Sequence, residues 1–157
     1  MRRLLLSIAL GAALVSTAFA QTAAHPDLSG TWKLNSAKSK LDKHETITSE
    51  TLVITSADSY VEFRHTIDGK DYPQRYITDG KDRPIAEVVG RQVSPHLNTM
   101  VKAEWQGSVL VIEQIWRNGH ESELMHHTLR WTLSSDGRTL TLDPDSNGKL
   151  SYAYDKQ

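Results

Sequence analysis

No cysteine occurs among the 157 residues, so no disulfide can staple the fold, and the thiol that anchors a bacterial lipoprotein is missing too. Stability must therefore come from packing. Beyond residue 20 no apolar run approaches the roughly 20 residues a membrane-spanning helix needs. Helix-period patterning long enough for a βαβ crossover is also missing, which argues against a parallel sheet. The motifs of common chemistries are absent. There is no Gly-x-Ser-x-Gly elbow, no thiol to activate, and no phosphate-cradling loop, because the nine glycines stand singly and mostly at turns. The 18 basic and 19 acidic residues give a formal charge of −1. They are scattered, without the basic stripe that marks a nucleic-acid partner.

What is present begins with an export signature. Arg2 and Arg3 form a basic start, Leu4 to Val15 is apolar, and Ala18-Phe19-Ala20 fits the small-x-small cleavage rule. The apolar run is too short to span a bilayer. Residues 1–20 are therefore expected to be a signal peptide cleaved after Ala20, with 21–27 a short flexible leader. Residues 28–157 are expected to form one domain, exported to the periplasm or secreted, with no transmembrane span of its own.

That domain reads as a succession of short strands. Leu28, Gly30, Trp32 and Leu34 alternate with Ser29, Thr31 and Lys33, the period-two signal of a half-buried strand. Asn35 to Glu45 fits either a short helix or a loop crossing. Thr51 to Thr55 and Tyr60 to Ile67 follow, and Asp68-Gly69-Lys70 is a hairpin signal leading into Tyr72 to Thr78, which Asp79-Gly80 ends. Ile85 to Val93, bracketed by Pro84 and Pro95, reads as an edge or broken strand. Thr99 to Trp105, Ser108 to Arg117 and Glu123 to Leu133 form a meander with turns at Gln106-Gly107 and Asn118-Gly119. Asp136-Gly137 and Asn147-Gly148 then turn the chain into Thr139 to Leu142 and Leu150 to Tyr154. The fold class expected is all-β, an antiparallel up-and-down barrel of about 8–10 strands, whose closure removes exposed edges.

Asp27-Leu28-Ser29-Gly30-Thr31-Trp32-Lys33-Leu34-Asn35, followed by Ala37-Lys38-Ser39-Lys40, resembles the start of small secreted bacterial proteins described as lipocalin-like. Their usual mark is Gly-x-Trp on the first strand, here Gly30 and Trp32. Asp68-Gly69-Lys70-Asp71-Tyr72-Pro73 and the closing Tyr152-Ala153-Tyr154-Asp155-Lys156-Gln157 fit the same resemblance. The stretch from Ile77 to Asn98 departs from it, being longer and less regular. The resemblance implies a small lipocalin-type barrel, whose members often bind small apolar molecules inside. It implies no reaction, since the fold serves binding proteins and a few enzymes alike.

Strand alternation assigns an interior. Val61, Phe63, His65 and Ile67 share one face. So do Leu110, Ile112, Gln114 and Trp116, and likewise Met125, His127, Leu129, Trp131 and Leu133. Val101, Ala103 and Trp105 are inward on the neighbouring strand. The candidate ligand-binding set is therefore Trp32, Phe63, His65, Trp105, Gln114, Trp116, His127 and Trp131, aromatic walls with three polar groups to orient a guest. The rival is a filled core, since an eight-stranded barrel only just holds its own side chains.

No cofactor is implied. His126 and His127 are adjacent on a strand and face opposite sides, and neither His-x-His nor His-Glu-x-x-His occurs, so no metal site is expected. Asp143-Pro144-Asp145-Ser146-Asn147-Gly148 lacks the glutamate that closes a calcium loop and reads as a hairpin turn. Three functions stay open: a carrier of a small apolar or amphipathic molecule, an envelope interaction module with a filled barrel, and a small enzyme using His65 or His127 as general base.

Overall fold

The computed structural model describes residues 25–42, 49–67, 69–89, 99–117, 124–144 and 149–157. The expected signal peptide, most of the leader, and the turns at Asn118-Gly119 and Asn147-Gly148 lie outside the described residues.

Ten strands form one antiparallel sheet: β1 (Gly30–Leu34), β2 (Thr51–Ala57), β3 (Tyr60–Ile67), β4 (Lys70–Ile77), β5 (Arg83–Pro84), β6 (Met100–Gln106), β7 (Val109–Arg117), β8 (Leu124–Leu133), β9 (Thr139–Pro144) and β10 (Tyr152–Lys156). Their order is β4-β3-β2-β1-β10-β9-β8-β7-β6-β5. Each strand thus pairs with its neighbour in sequence where one pairs at all, and β1 joins β10 with Trp32 opposite Lys156. The all-β meander expected from alternation is the fold found. Among the described residues, β4 pairs with β3 alone and tolerates Pro73, whose missing N–H would break a ladder on an inner strand.

The sheet curls until the end of β4 meets β6, and among the described residues the two join at one end only. There Gly80 donates its N–H to the Ala103 carbonyl at 3.0 Å, and Asp79 bridges to Glu104. Gly80 has φ +71°, and a Cβ on it would lie 3.0 Å from the Glu104 carboxylate, so glycine suits this crossing twice over. Toward the other end β4 and β6 part, and helix α1 (Ile85–Val89) packs between them with Val88 buried. The strand expected from Ile85 is corrected here, as far as Val89, to a helix. Ile85, Val88 and Val89 stand at i, i+3 and i+4, helical spacing that places Val88 in the core; Pro84 immediately before it suits a helix start.

Residues 35–42 settle as a turn and a bridge, with no helix in that stretch. Lys40 exchanges backbone hydrogen bonds with Ser151, and the Ser39 hydroxyl accepts the Ala153 N–H at 2.9 Å. This segment lies against β10 and accounts for the burial of outward-facing Ala153.

The core is concentrated at the end of the barrel that holds the turns at Ser59, Gly107 and Gly137. Leu28, Trp32, Leu52, Val61, Leu110 and Leu140 are all 0 % exposed. Each buried aliphatic of this kind contributes roughly 1.5–3 kcal/mol relative to an exposed one. The Trp32 indole donates to the Leu28 carbonyl at 3.0 Å, so the chain ahead of β1 folds under the barrel as its floor. Gly30 makes this possible: its φ is +141°, and the Lys156 side chain lies 3.1 Å from where a Cβ would stand.

Candidate functional site

Above the floor the interior is hollow. A cavity of about 320 Å³ lies between inward residues of β3, β4, β7, β8 and β9: Phe63 and His65; Tyr72, Gln74 and Tyr76; Ile112 and Gln114; Leu129 and Trp131; Leu142. A second space of about 360 Å³ adjoins it nearer the mouth, sharing His65, Leu129 and Leu142 and adding Glu50, His127, Pro144, Leu150, Tyr152 and Tyr154. The strand pairings explain the shared wall. His65 stands opposite Tyr72, Gln114 opposite His127, and Leu142 opposite both Trp131 and Tyr152.

The aromatic wall is continuous. Trp131 lies 4.8 Å from Phe63 and 5.9 Å from Tyr154, centroid to centroid, and Tyr76 meets Phe63 edge-on at 5.7 Å. Such contacts hold the rings in fixed orientations. The Tyr76 hydroxyl donates to the Gln74 side-chain oxygen at 2.9 Å, and burial pushes its phenol well above the usual range.

The polar centre is a buried carboxylate. Glu50, 6 % exposed, holds the His65 Nδ1 at 2.5 Å on one oxygen and accepts the Tyr154 hydroxyl at 2.8 Å on the other. Burial pushes the Glu50 carboxyl up, but the hydrogen bonds from His65 and Tyr154, together with the His65 charge, outweigh that and hold it below the usual carboxylate range. Because a carboxylate only accepts, Nδ1 must carry the shared hydrogen. In the neutral form of the ring the lone pair is then on Nε2.

The eight predicted site residues divide. Phe63, His65, Gln114 and Trp131 come together around the first cavity, and His127 joins His65 on the second. Trp32 is sealed in the floor, with Lys156 Nζ 5.2 Å from its ring centroid. Trp105 lies low on β6, its ring stacked on His25 at 4.3 Å, and Trp116 meets His127 edge-on at 6.5 Å near the mouth. These three tryptophans are outside both cavity walls. Met125, assigned inward with His127, is 41 % exposed because β8 runs past the core at its mouth end.

Glu50 and the tyrosines of β4 and β10 were not singled out by sequence. The signal existed: Glu50 has the same parity as inward Leu52 and Ile54, but it precedes the strand predicted from Thr51. Tyr72, Gln74 and Tyr76 alternate in the same way. Among the described residues no group of three or more His, Cys, Asp or Glu side chains could hold a metal ion.

No family model and no curated protein matches the sequence. Solved structures do match in shape. A mutant of the fluorescent protein UnaG superposes with a TM-score of 0.57 at 14 % identity, over 82 % of this chain and 95 % of that one. The fatty acid transporter REP1-NXSQ gives 0.54 at 11 % identity, over 83 % and 96 %. At such identities the likeness establishes the fold, a barrel of the lipocalin type.

Proposed function

We propose that this chain is an exported carrier that holds a small apolar or amphipathic molecule in the upper half of its barrel. The observation that carries the proposal is the cavity of about 320 Å³ with aromatic walls and few polar groups. Ligand pockets are commonly on the order of 300–1,000 Å³ with this composition. The likeness in fold to a fatty acid transporter supports the same reading, and Arg2 to Ala20 supports export.

A second reading takes the Glu50–His65 pair as a general base, since a carboxylate on Nδ1 is how a catalytic imidazole is oriented. Neither cavity is lined by a serine or threonine among the described residues, so the hydroxyls the pair meets there are tyrosine phenols and no aliphatic hydroxyl is at hand to activate. Carriage is the better-supported function.

The experiment is titration with N-phenylnaphthylamine, a neutral apolar fluorophore excited by tryptophan emission. Saturable binding with energy transfer is expected. Leu129→Trp, which fills the junction of the two cavities, should weaken binding at least about tenfold while leaving the β-sheet circular dichroism intact. Unchanged affinity in that variant would remove the guest from this cavity. Mass spectrometry of protein purified from its own host reports both the carried molecule and whether the mature chain starts at Gln21.

A further inference from the structure

Resting on the carrier reading, we infer that the barrel selects guests whose polar head donates hydrogen bonds and bears no negative charge, an alcohol or an amine in preference to a carboxylate. Among the described residues neither cavity wall contains a lysine or arginine. The carboxylate in the wall of the outer cavity is Glu50, nearly sealed from water and committed through its two oxygens to His65 and Tyr154.

An anionic head entering this space loses its hydration, meets no lysine or arginine to replace it, and lies in a low-dielectric recess with a carboxylate of its own sign. A donating head meets the opposite situation. Nδ1 of His65 is turned to Glu50, so in the neutral ring Nε2 is left as an acceptor lining both cavities. Gln114 offers a side-chain oxygen on the deeper cavity, where the Gln74 oxygen already accepts the Tyr76 hydroxyl. For an ammonium head the Glu50 charge adds attraction that the buried setting leaves largely unscreened. Glu50 thus has two effects: it fixes the histidine and sets the sign of the field in the pocket.

The test uses three probes of one chain length, decanol, decylamine and decanoate, displacing N-phenylnaphthylamine from the intact protein at neutral pH. Decanol and decylamine are expected to displace it at concentrations at least about tenfold lower than decanoate. In Glu50→Gln the preference of decylamine over decanoate should narrow, while decanol changes least. If decanoate displaces the fluorophore as well as decanol from the wild type, the head-group inference is overturned and the carrier reading stands. If the fluorophore does not bind the wild type at all, the carrier reading itself falls. Should Glu50→Gln fail to fold, the wild-type ranking of the three probes decides alone.

Discussion

The two halves of this barrel use the same strands for opposite ends. Around Trp32, Leu110 and Leu140 the interior is solid, and the inward positions are apolar and fully buried. Farther along the same strands, Leu52 gives way to Glu50, Phe63 to His65, Ile112 to Gln114, and Leu129 to His127. The packing opens into cavities there. Filled core and hollow barrel, which sequence patterning leaves as rivals, are both present, one above the other. Period-two alternation says which residues face inward and nothing about whether their side chains meet. That depends on the curl of the sheet, which closes by backbone hydrogen bonding at Gly80 and Ala103 and is spread by α1 toward the mouth.

From this division it follows that substitutions in the floor cost stability and leave binding largely alone. Trp32→Ala should show the largest effect, roughly 3–5 kcal/mol in unfolding free energy by urea titration, because it removes a fully buried indole and opens a void the sheet cannot collapse into. Where the variant stays folded at low denaturant, its affinity for N-phenylnaphthylamine should match the wild type. A small stability loss joined to abolished binding would mean that Trp32 belongs to the site after all.

The next effect comes from the upper half and depends on pH. Glu50 titrates below the usual carboxylate range in the folded protein, so the unfolded chain binds more protons in the acid range and stability rises with pH there. The contribution is fully present above a glutamate's ordinary pKa and is lost as the pH falls through the lowered folded value. Glu50→Gln should cost about 1–3 kcal/mol at neutral pH, since one of the two donors must then face an amide N–H₂. The variant's unfolding free energy should also fall less steeply than the wild type's as the pH drops below a glutamate's ordinary pKa. Parallel curves would show that Glu50 does not depend on its ionised form.

How much of this was legible in the sequence follows the same boundary. The floor was readable because Leu28, Trp32, Val61 and Leu110 are apolar in strict alternation, and burying them is nearly all that their position requires. The turns were readable because Gly69, Gly80, Gly107 and Gly137 adopt positive φ, which few other residues tolerate. The site was half readable: His65, Gln114 and His127 stood out as polar members of apolar faces. Glu50 did not, since a glutamate at a strand's start looks like surface until the pairing brings Tyr154 and His65 onto it from 104 and 15 residues away. Helix α1 was misread because a five-residue segment carries too few turns for its spacing to stand out beside a proline. The lipocalin resemblance anticipated a barrel; it did not anticipate which tryptophans would line the cavity.

Trp116 offers the smallest and most delicate test of the boundary. It shares the inward parity of Gln114 and Ile112 yet lies beyond both cavity walls, half-buried, with its ring edge-on to His127 at 6.5 Å. Its influence on a guest must pass through that histidine, so Trp116→Ala should cost about 0.5–1.5 kcal/mol of stability, the usual worth of an aromatic pair. Probe affinity should change by less than about threefold, or ~0.65 kcal/mol. Affinity lost by an order of magnitude would mean that the guest reaches the rim and that the binding region runs farther out than Glu50 and His127. Unchanged stability together with unchanged binding would reduce the indole to a cover over the imidazole, with the functional boundary at Gln114 and His127.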